Sequence, residues 1–347
     1  MKIGKLDTDV KTIVIAELSA NHGGDIQIAK KTIKSMKDSG ADIVKIQSYT
    51  PDTITLNCDN EYFQIAQGTI WDGRSLYDLY SEAYMPMEWT KELFDYAREI
   101  GIEIFSSPFD HTAVDLLESV DTPAYKIASF EITDIPLIEY AASKMKPMII
   151  STGIATLEDI ALAVEACKRV GNNEIILLKC TSAYPADVSD ANLNTMVDMK
   201  NRFKVEVGLS DHTLGNMVPI VATSLGAKVI EKHFILDPAI GGPDASFSLT
   251  PEQFKHLVSD IRLAEKALGK VDYELNEKKI ASRKFSRSLF ISDDIKKGDR
   301  FTERNIRSVR PNDGLHPKLM RAVLGKTASE DLAMGTPLKE KYIKEGL

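Results

Sequence analysis

Short apolar runs recur along the first 235 residues and alternate with stretches of helical period. Eight of these runs are nearly continuous in apolar and β-branched residues, which is typical of strands buried on both faces. They are residues 12–18, 42–47, 103–108, 124–129, 147–152, 174–180, 205–210 and 228–234. Eight strand–helix units in a row predict a (β/α)₈ TIM barrel. A doubly wound sheet is the alternative, but its usual glycine-rich first turn is missing.

The stretches between and after the runs carry helix signals. After the eighth run, Thr250 and Gln253 form a capping box with Pro251 at the first helical position. The apolar stripe that follows consists of Phe254, Leu257, Val258, Ile261 and Leu268. The interval from 47 to 103 is much longer than the others, which predicts an excursion over the barrel mouth.

The character of the chain changes after Gly269. Residues 271–285 are polar and basic and resemble a linker. Residues 286–347 contain short β-rich runs, KKG-type turns and Pro/Gly punctuation, which predict a small β-rich module of about 60 residues. We therefore expect a catalytic barrel over 1–270, a linker over 271–285 and a C-terminal module over 286–347.

Charge and cysteine content narrow the classes of partner. The formal net charge of −8 argues against nucleic acid or an anionic membrane as the general partner, but it leaves room for a local basic pocket. Cys58, Cys167 and Cys180 are widely spaced and odd in number, which suits reduced thiols. With neither a signal peptide nor a run of about 20 apolar residues, the sequence predicts a cytoplasmic protein without membrane contact.

Polar residues end or follow all eight predicted strands. In a barrel these ends form the mouth, where active sites lie. A single strand can end in polar residues simply because it reaches the solvent. Polar residues at all eight strand ends are not explained in this way, so we expect a catalytic mouth. The residues are Glu17, Lys45, Gln47, Ser106, Ser107, Lys126, Ser129, Glu131, Ser151, Lys179, Thr181, Ser182, Tyr184, Ser210, Asp211, His212, Glu231, Lys232 and His233.

Two histidines are the metal candidates. His212 and His233 end the adjacent strands 7 and 8, so their rings can converge on one ion. Imidazole suits Mn, Zn, Fe or Co, and two neutral ligands leave coordination positions for substrate and water. The alternative is that each is a hydrogen-bonded core histidine.

Two lysines lie within apolar strands. Because lysine is rarely buried without a partner, Lys45 and Lys126 predict a pocket for a small, multiply charged anion such as a phosphorylated carboxylate. The hydroxyl groups of the pocket come from Ser107, Ser129, Ser151 and Ser210. Two alternatives stay open: buried ion pairs with Glu17 or Glu131, and a Schiff-base lysine as in an aldolase.

The segment Glu231-Lys232-His233 places three ionisable residues at the end of strand 8. Side chains alternate along a strand, so Glu231 and His233 share one orientation and Lys232 takes the other. We expect His233 to face the metal. Glu231, lying deeper on the same side, orients a neighbouring ligand or lysine.

With these residues assembled, the chain resembles the sialic acid synthase family along essentially its whole length. In the barrel the resemblance rests on AELSANHGG (16–24), DIVKIQSYTPD (42–52), FSSPF (105–109), YKIASFE (125–131), STGIAT (151–156), KCTSAYP (179–185), VGLSDHTLG (207–215) and VIEKHFILD (229–237). RSLF (287–290), DIKKGD (294–299) and VRPNDGLHPK (309–318) resemble the antifreeze-like (SAF) domain that this family appends.

The resemblance implies an enzyme that condenses phosphoenolpyruvate with an N-acetylated amino sugar, giving a nine-carbon α-keto acid sugar and phosphate. It implies a divalent metal on His212 and His233, with Mn²⁺ first and Mg²⁺ or Co²⁺ as alternatives. The implied phosphoenolpyruvate pocket consists of Lys45, Ser107, Lys126, Ser129, Ser151, Ser182, Tyr184 and Ser210. Gln47 and Asp244 match positions near the sugar.

The resemblance also implies catalytic roles and a partner subunit. The implied catalytic residues are Glu17, Lys126, Glu131 and Tyr184, with Glu17 or Glu131 stabilising charge at C2 or deprotonating water. Arg310 and Phe285 match residues that reach the active site of a neighbouring subunit, which predicts a domain-swapped homodimer.

Two departures from the common pattern of the family argue against N-acetylmannosamine as the sugar, and the segments SANH (19–22), SFE (129–131) and GLHPK (314–318) resemble the pseudaminic acid branch. Other sialic acid synthases commonly have Asn where this chain has Ser182, and an AEIGxNHNG-like segment where it reads AELSANHGG. The branch implies 2,4-diacetamido-2,4,6-trideoxy-L-altrose as the sugar. N-acetylneuraminic or legionaminic acid synthesis is the alternative, and a glycan-binding module is the hypothesis from another class.

Overall fold

Eight parallel strands form a closed barrel within the unit Met1–Gly269 of this computed structural model, which describes residues 1–66, 72–182 and 186–347. Two short hairpin strands precede them, β1 (Lys2–Ile3) and β2 (Leu6–Asp7). The barrel strands are β3 (Ile13–Glu17), β4 (Ile43–Ser48), β5 (Glu103–Pro108), β6 (Tyr125–Ile127), β7 (Met148–Ser151), β8 (Ile175–Cys180), β9 (Glu206–Asp211) and β10 (Val229–His233). Pairing of β10 with β3 closes the barrel and sets His233 opposite Glu17. The predicted (β/α)₈ barrel is confirmed.

Ten helices of the described residues connect or follow the strands of this unit. They are α1 (Ile26–Asp38), α2 (Pro51–Ile54), α3 (Leu76–Ala83), α4 (Trp89–Ile100), α5 (His111–Ser119), α6 (Ile135–Ala142), α7 (Leu157–Arg169), α8 (Asn194–Phe203), α9 (Met217–Ser224) and α10 (Pro251–Leu268). The predicted capping box of Thr250 and Gln253 begins α10, which confirms that helix start. Among the described residues, no helix combines the length and the apolar content needed to cross a bilayer.

The prediction that Leu268 belongs to the buried apolar stripe of α10 is wrong. Phe254, Leu257 and Ile261 are fully buried, whereas Leu268 is 53% exposed. At 18 residues α10 is about 27 Å long, but a five-residue strand spans only about 17 Å. The last turn of the helix therefore extends beyond the strands and has no core to pack against.

The barrel interior is apolar at its N-terminal end. The cluster there consists of Ile3, Ile13, Ile15, Ile43, Phe105, Ala124, Ile149, Ile176, Leu178 and Val229. Ile3 comes from the β1–β2 hairpin, which closes this end of the barrel. Gly208 is inward-facing in β9, where a Cβ atom would lie 2.4 Å from the Val229 carbonyl oxygen, so only glycine permits this approach of β9 to β10.

The long interval between β4 and β5 contains α2, α3 and α4. The His22 ring, in the loop after β3, packs edge-on against Trp89 of α4, with ring centroids 5.6 Å apart. The Tyr49 ring, next to the end of β4, packs edge-on against Tyr80 of α3. These contacts join the excursion to the C-terminal ends of the first strands.

The unit Lys270–Leu347 has its own small core. It contains α11 (Glu277–Arg283), β11 (Ser288–Ile291), β12 (Ile306–Val309) and α12 (Met320–Val323), and β11 pairs antiparallel with β12. Its core consists of Leu289, Ile291, Ile295, Phe301, Ile306, Val323, Ala328, Leu332, Leu338 and Ile343. Helix α11 lies within the segment that the sequence predicts as a linker. Because the helix buries no residue, its sequence contains no apolar stripe that would predict it. The Asn276 side chain caps its first turn.

Candidate active site

The inward faces of the barrel strands change from apolar to polar towards their C-terminal ends. In β4, Ile43 belongs to the apolar interior, and Lys45 and Gln47 follow on the same face of the strand. Apart from Gln47, each inward polar residue is less than a tenth exposed. The set is Glu17, Lys45, Gln47, Ser107, Lys126, Ser151, Cys180, Ser210, His212, Glu231 and His233. The mouth is therefore a buried polar site.

Some polar residues at the strand ends face outward, towards the helices. Lys232 Nζ bonds Asp211 Oδ2 at 2.7 Å, and both side chains are buried. Ser106 Oγ lies 2.7 Å from the Ser48 hydroxyl of the neighbouring strand. Lys179 Nζ donates to the adjacent Cys180 carbonyl at 2.8 Å. Alternation along the strands thus divides the predicted polar residues into a set inside the mouth and a set outside it.

A cluster of two lysines and two glutamates occupies the centre of the mouth. Lys45 Nζ lies 2.9 Å from Glu17 Oε2 and 2.7 Å from Glu231 Oε1. Lys126 Nζ lies 3.5 Å from the same Glu231 oxygen, to which Ser210 Oγ donates at 3.1 Å. The predicted ion-pair alternative therefore describes Lys45, although its second carboxylate is Glu231 and not Glu131.

The pKa values in this cluster follow from burial and charge together. Burial alone would lower the pKa of Lys45, but Glu17 and Glu231 outweigh it and raise the pKa well above its usual range. Burial would raise the pKa of Glu17, but the positive charge of Lys45 holds it far below its ordinary value. For Lys126 burial prevails and its pKa is lowered. Lys126 is therefore the less compensated of the two lysines.

Several buried polar atoms at the mouth have no hydrogen-bond partner within the described chain. They are Ser107 Oγ, Ser151 Oγ, Ser182 Oγ, Glu131 Oε2, Glu231 Oε2 and His233 Nδ1. A buried polar atom without a partner costs about 1–3 kcal/mol, so folded proteins keep such atoms where a ligand or water satisfies them. Their concentration around the lysines marks a binding site for a polar ligand.

Gly153 brings two of the predicted pocket serines together. Its backbone N–H donates to Ser129 Oγ at 3.2 Å. A Cβ atom at this position would lie 2.8 Å from Ser129 Oγ and 2.1 Å from Ser182 Oγ. Sequence reasoning did not select Gly153 as a site residue, although it lies in the STGIAT motif directly after β7.

Glu131 ends a one-turn 3₁₀ helix that begins at Ser129. Burial raises the pKa of its carboxyl to about 7, and the positive charge of Lys126 opposes this shift only in part. Near neutral pH both protonation states of Glu131 are populated. This is the property that a general acid–base needs.

The two candidate metal ligands lie side by side. The ring centroids of His212 and His233 are 5.3 Å apart, and Phe247 packs edge-on against both rings. His212 Nδ1 donates to the Thr181 carbonyl at 3.0 Å. His233 Nε2 lies 3.3 Å from Glu17 Oε2, and its buried Nδ1 is among the unpartnered atoms.

Cys180 is an inward mouth residue that sequence reasoning missed. Its Sγ lies 3.8 Å from His212 Nδ1. Burial raises the pKa of the thiol, but the contact with His212 and further polar neighbours outweigh burial and lower it to about 7. The alternation of Ile176, Leu178 and Cys180 along β8 is the sequence signal that identifies it.

A divalent metal fits the histidine pair. Among the described residues, no group of three or more His, Cys, Asp or Glu side chains is arranged to hold a metal ion, so the candidate protein ligands are the two imidazoles. Burial lowers the pKa of His233, whereas for His212 the effect of burial is outweighed by the contacts with Cys180 and the Thr181 carbonyl, which raise the pKa. Two ring nitrogens leave several coordination positions for ligand and water.

Gln47 and Asp244 meet on the histidine side of the mouth. Gln47 Nε2 donates to Glu17 Oε1 at 2.9 Å and to Ser19 Oγ at 3.0 Å. Ser19 in turn donates to Asp244, whose Oδ2 lies 3.9 Å from His233 Nδ1. The structure thus brings these two predicted sugar-side residues together through Ser19, which sequence reasoning did not name.

The remaining predicted site residues are Tyr184, Phe285 and Arg310. Tyr184 lies outside the described residues. Phe285 and Arg310 belong to the second unit, where both are exposed, Phe285 by 69%. Their roles stay predictions.

Comparisons with known proteins agree with this geometry. The NeuB family model matches residues 32–273, and the SAF domain model matches residues 286–343. A pseudaminic acid synthase from Campylobacter jejuni is 50% identical over 98% of this chain and 99% of its own. A pseudaminic acid synthase from Helicobacter pylori is 50% identical over 96% of this chain and 98% of its own.

A solved structure gives the same fold. It is the N-acetylneuraminic acid (sialic acid) synthetase from Leptospira borgpetersenii serovar Hardjo-bovis in complex with citrate, with a TM-score of 0.72 and 28% identity over 81% of this chain and 94% of that one. The predicted resemblance to the sialic acid synthases and their pseudaminic acid branch is confirmed, as is the SAF module. The chain belongs to the NeuB family and carries a C-terminal SAF domain.

Proposed function

We propose that this protein condenses phosphoenolpyruvate with 2,4-diacetamido-2,4,6-trideoxy-L-altrose to form pseudaminic acid and phosphate. The observation that carries the proposal is the convergence of two buried lysines with unpartnered polar groups beside a histidine pair, in a NeuB barrel. The 50% identity to pseudaminic acid synthases over nearly the whole chain supports this branch.

The lysine cluster binds phosphoenolpyruvate. This ligand carries about three negative charges near neutral pH, which Lys45 and Lys126 compensate through charge-assisted hydrogen bonds. As the anion enters, it takes the place that Glu17 and Glu231 hold next to Lys45. The hydroxyl groups that complete the pocket are those of Ser107, Ser129, Ser151, Ser182, Tyr184 and Ser210.

His212 and His233 hold a divalent metal, which we take to be Mn²⁺, with Mg²⁺ and Co²⁺ as alternatives. When bound, the metal supplies Lewis-acid polarisation of the sugar aldehyde. Gln47 and Asp244, on the same side of the mouth, orient the open-chain sugar. Glu17 lies between the histidines and Lys45, where its carboxylate stabilises positive charge that develops at C2 of phosphoenolpyruvate.

Glu131 moves the protons. A carbon–carbon bond forms between C3 of phosphoenolpyruvate and the aldehyde carbon, and a water molecule then adds to C2 while Glu131 accepts its proton. The resulting tetrahedral intermediate breaks its C2–O bond and releases phosphate. Of the two protons of the water, one ends on the new hydroxyl group of the sugar acid and the other on phosphate. Lys126 donates a hydrogen bond to the leaving phosphate.

The proposal includes a homodimer in the cytoplasm. Arg310 and Phe285 of each chain complete the active site of the partner subunit, which is supported by the exposure of both side chains in the C-terminal unit. The cysteines Cys58, Cys167 and Cys180 are free thiols, which suits a reducing compartment.

Phosphoenolpyruvate labelled with ¹⁸O at the bridging oxygen tests the reaction type. The proposal expects phosphate release only when sugar, metal and phosphoenolpyruvate are all present, with the label in the phosphate because the C–O bond breaks. Unlabelled phosphate, or release without sugar, would show a phosphatase-like reaction and contradict the proposal.

A further inference from the structure

The excursion between β4 and β5 brings a group of aromatic rings to the mouth. Tyr49 follows the last residue of β4, and Phe109 follows the last residue of β5. Their ring centroids are 5.0 Å apart at an interplanar angle of 64°. Tyr80 of α3 packs against the other side of Tyr49, with centroids 5.9 Å apart. We name Tyr49, Tyr80 and Phe109 the aromatic roof.

The aromatic roof continues the inward rows of two neighbouring strands. Lys45, Gln47 and Tyr49 are alternate residues of one chain segment, so the alternation of β4, continued by one residue, predicts that Tyr49 follows Gln47 on the side of the mouth. Phe109 stands in the same relation to Ser107. The roof therefore lies above the lysine cluster and the serine of the adjacent strand, at the level where a second substrate would enter.

Tyr49 and Tyr80 carry hydroxyl groups without a hydrogen-bond partner in the described part of the chain. Tyr49 is only 3% exposed. Two tyrosines on the outer side of the barrel do have acceptors: Tyr125 donates to Glu118, and Tyr140 donates to Asp115. Because a tyrosine as buried as Tyr49 normally has such a partner, its hydroxyl is available to a ligand, and the half-buried Tyr80 presents a second hydroxyl beside it.

The pKa values of these two hydroxyls respond to different carboxyl groups of the mouth. Burial raises the pKa of Tyr49, and the Asp244 carboxylate raises it further. Burial also raises the pKa of Tyr80, with Glu131 adding to the shift. Both phenols are therefore neutral donors at physiological pH. One is near the sugar-side carboxylate and the other near the proposed acid–base residue.

We infer that Tyr49 and Tyr80 determine which sugar the enzyme accepts, by hydrogen bonding to its acetamido or hydroxyl groups while the roof packs on its methyl groups. This rests on the proposed function. A 2,4-diacetamido-2,4,6-trideoxy sugar presents three methyl groups and few hydroxyls, so an aromatic surface with two isolated donors matches it better than it matches a polyhydroxylated sugar.

The test uses Tyr49→Phe and Tyr80→Phe in the full-length enzyme, since each removes one hydroxyl and keeps the ring. The matched control is Tyr77→Phe on the same helix α3, because the Tyr77 hydroxyl contacts Asp52 at 3.2 Å instead of facing the mouth. We expect the KM for the sugar to rise about tenfold in each roof variant, the loss typical of one hydrogen bond. The KM for phosphoenolpyruvate should stay unchanged, as should both constants in the control.

The preference for the diacetamido sugar over N-acetylmannosamine should fall in parallel with the loss of sugar affinity. Wild-type activity is measured first and tests the proposed function separately. If the wild type releases no phosphate with any candidate sugar, the proposed function fails and the inference fails with it. If the wild type is active but the sugar KM of both roof variants equals that of the control, only the inference is overturned.

Discussion

At the scale of single residues, the site is organised by a balance of buried charges. Glu231 sits between two lysines and bonds both, with Ser210 as a further donor. Isolated charges at this depth would be strongly destabilising, and the two carboxylates offset the two ammonium groups. An incoming anion meets lysines that are already desolvated, so binding adds no further desolvation cost for the two ammonium groups. This explains why the polar centre exists before any ligand binds.

Glu231→Gln should lower the free energy of unfolding by about 3 kcal/mol, because it leaves a buried positive charge in excess. Phosphoenolpyruvate restores the missing negative charge, so it should raise the melting temperature of this variant more than that of the wild type. Thermal unfolding with and without phosphoenolpyruvate measures both effects.

The matched control for Glu231→Gln is Asp211→Asn. It breaks the buried pair with Lys232 on the outer side of the same strands. We expect a similar loss of stability that phosphoenolpyruvate does not restore beyond its wild-type effect. If phosphoenolpyruvate raised the melting temperature of both variants equally, this would contradict the assignment of the lysine cluster as the phosphoenolpyruvate site.

Glu131 gives a prediction about pH. Its pKa is raised from 4.5 to about 7, so between these pH values the folded state holds a proton that the unfolded state has lost. Stability therefore falls as pH rises through this window. Glu131→Gln should remove this fall, and its stability relative to the wild type should increase by about 3 kcal/mol from pH 5 to pH 8. Denaturant unfolding at the two pH values measures the difference.

The same substitution should reduce kcat by about 10²–10⁴-fold, the range for loss of a general acid–base. In the Glu131→Gln variant, the limb of the pH–rate profile that reports ionisation of Glu131 in the wild type should be absent. Unfolding curves of variant and wild type that stay parallel across pH, together with an unchanged rate profile, would show that Glu131 is not the titrating group.

At the scale of elements, the sequence predicts what depends on local pattern. Strands buried on both faces produce apolar runs, so all eight strands and the inward rows ending in Lys45 or His233 follow from alternation. Contacts between distant strand ends depend on barrel geometry instead. The approach of Gly153 to Ser182 and the sharing of Glu231 between two lysines therefore have no local signature. The sequence pattern did not predict helix α11, because this helix has no apolar face that packs against the core.

Gly153→Ala tests the serine pair that the loops after β6, β7 and β8 form. The added methyl group cannot coexist with Ser182 Oγ at 2.1 Å, so it should displace that side chain and raise the KM for phosphoenolpyruvate roughly tenfold. Steady-state kinetics measures the loss. Ser182→Ala in the Gly153→Ala background should relieve the clash, so the double variant should be more stable than Gly153→Ala alone. Strictly additive losses of stability would contradict this contact.

At the scale of the whole molecule, the proposed domain swap predicts complementation between inactive chains. Lys126→Met disables the barrel site, and Arg310→Ala disables the contribution to the partner subunit. If Arg310 acts in the neighbouring site, mixed dimers contain one intact site, and a statistical mixture should regain about a quarter of wild-type activity. Activity after mixing and dissociation–reassociation measures this. A mixture that stays inactive would place Arg310 in the site of its own chain.

The most direct test of the account compares two sugars. Purified protein is given phosphoenolpyruvate and Mn²⁺ with either 2,4-diacetamido-2,4,6-trideoxy-L-altrose or N-acetylmannosamine, and phosphate and sugar acid are quantified together. The account predicts equimolar phosphate and pseudaminic acid with the first sugar and little turnover with the second. Turnover with N-acetylmannosamine alone would assign the protein to another branch of the family, and silence with both sugars would contradict the proposed function.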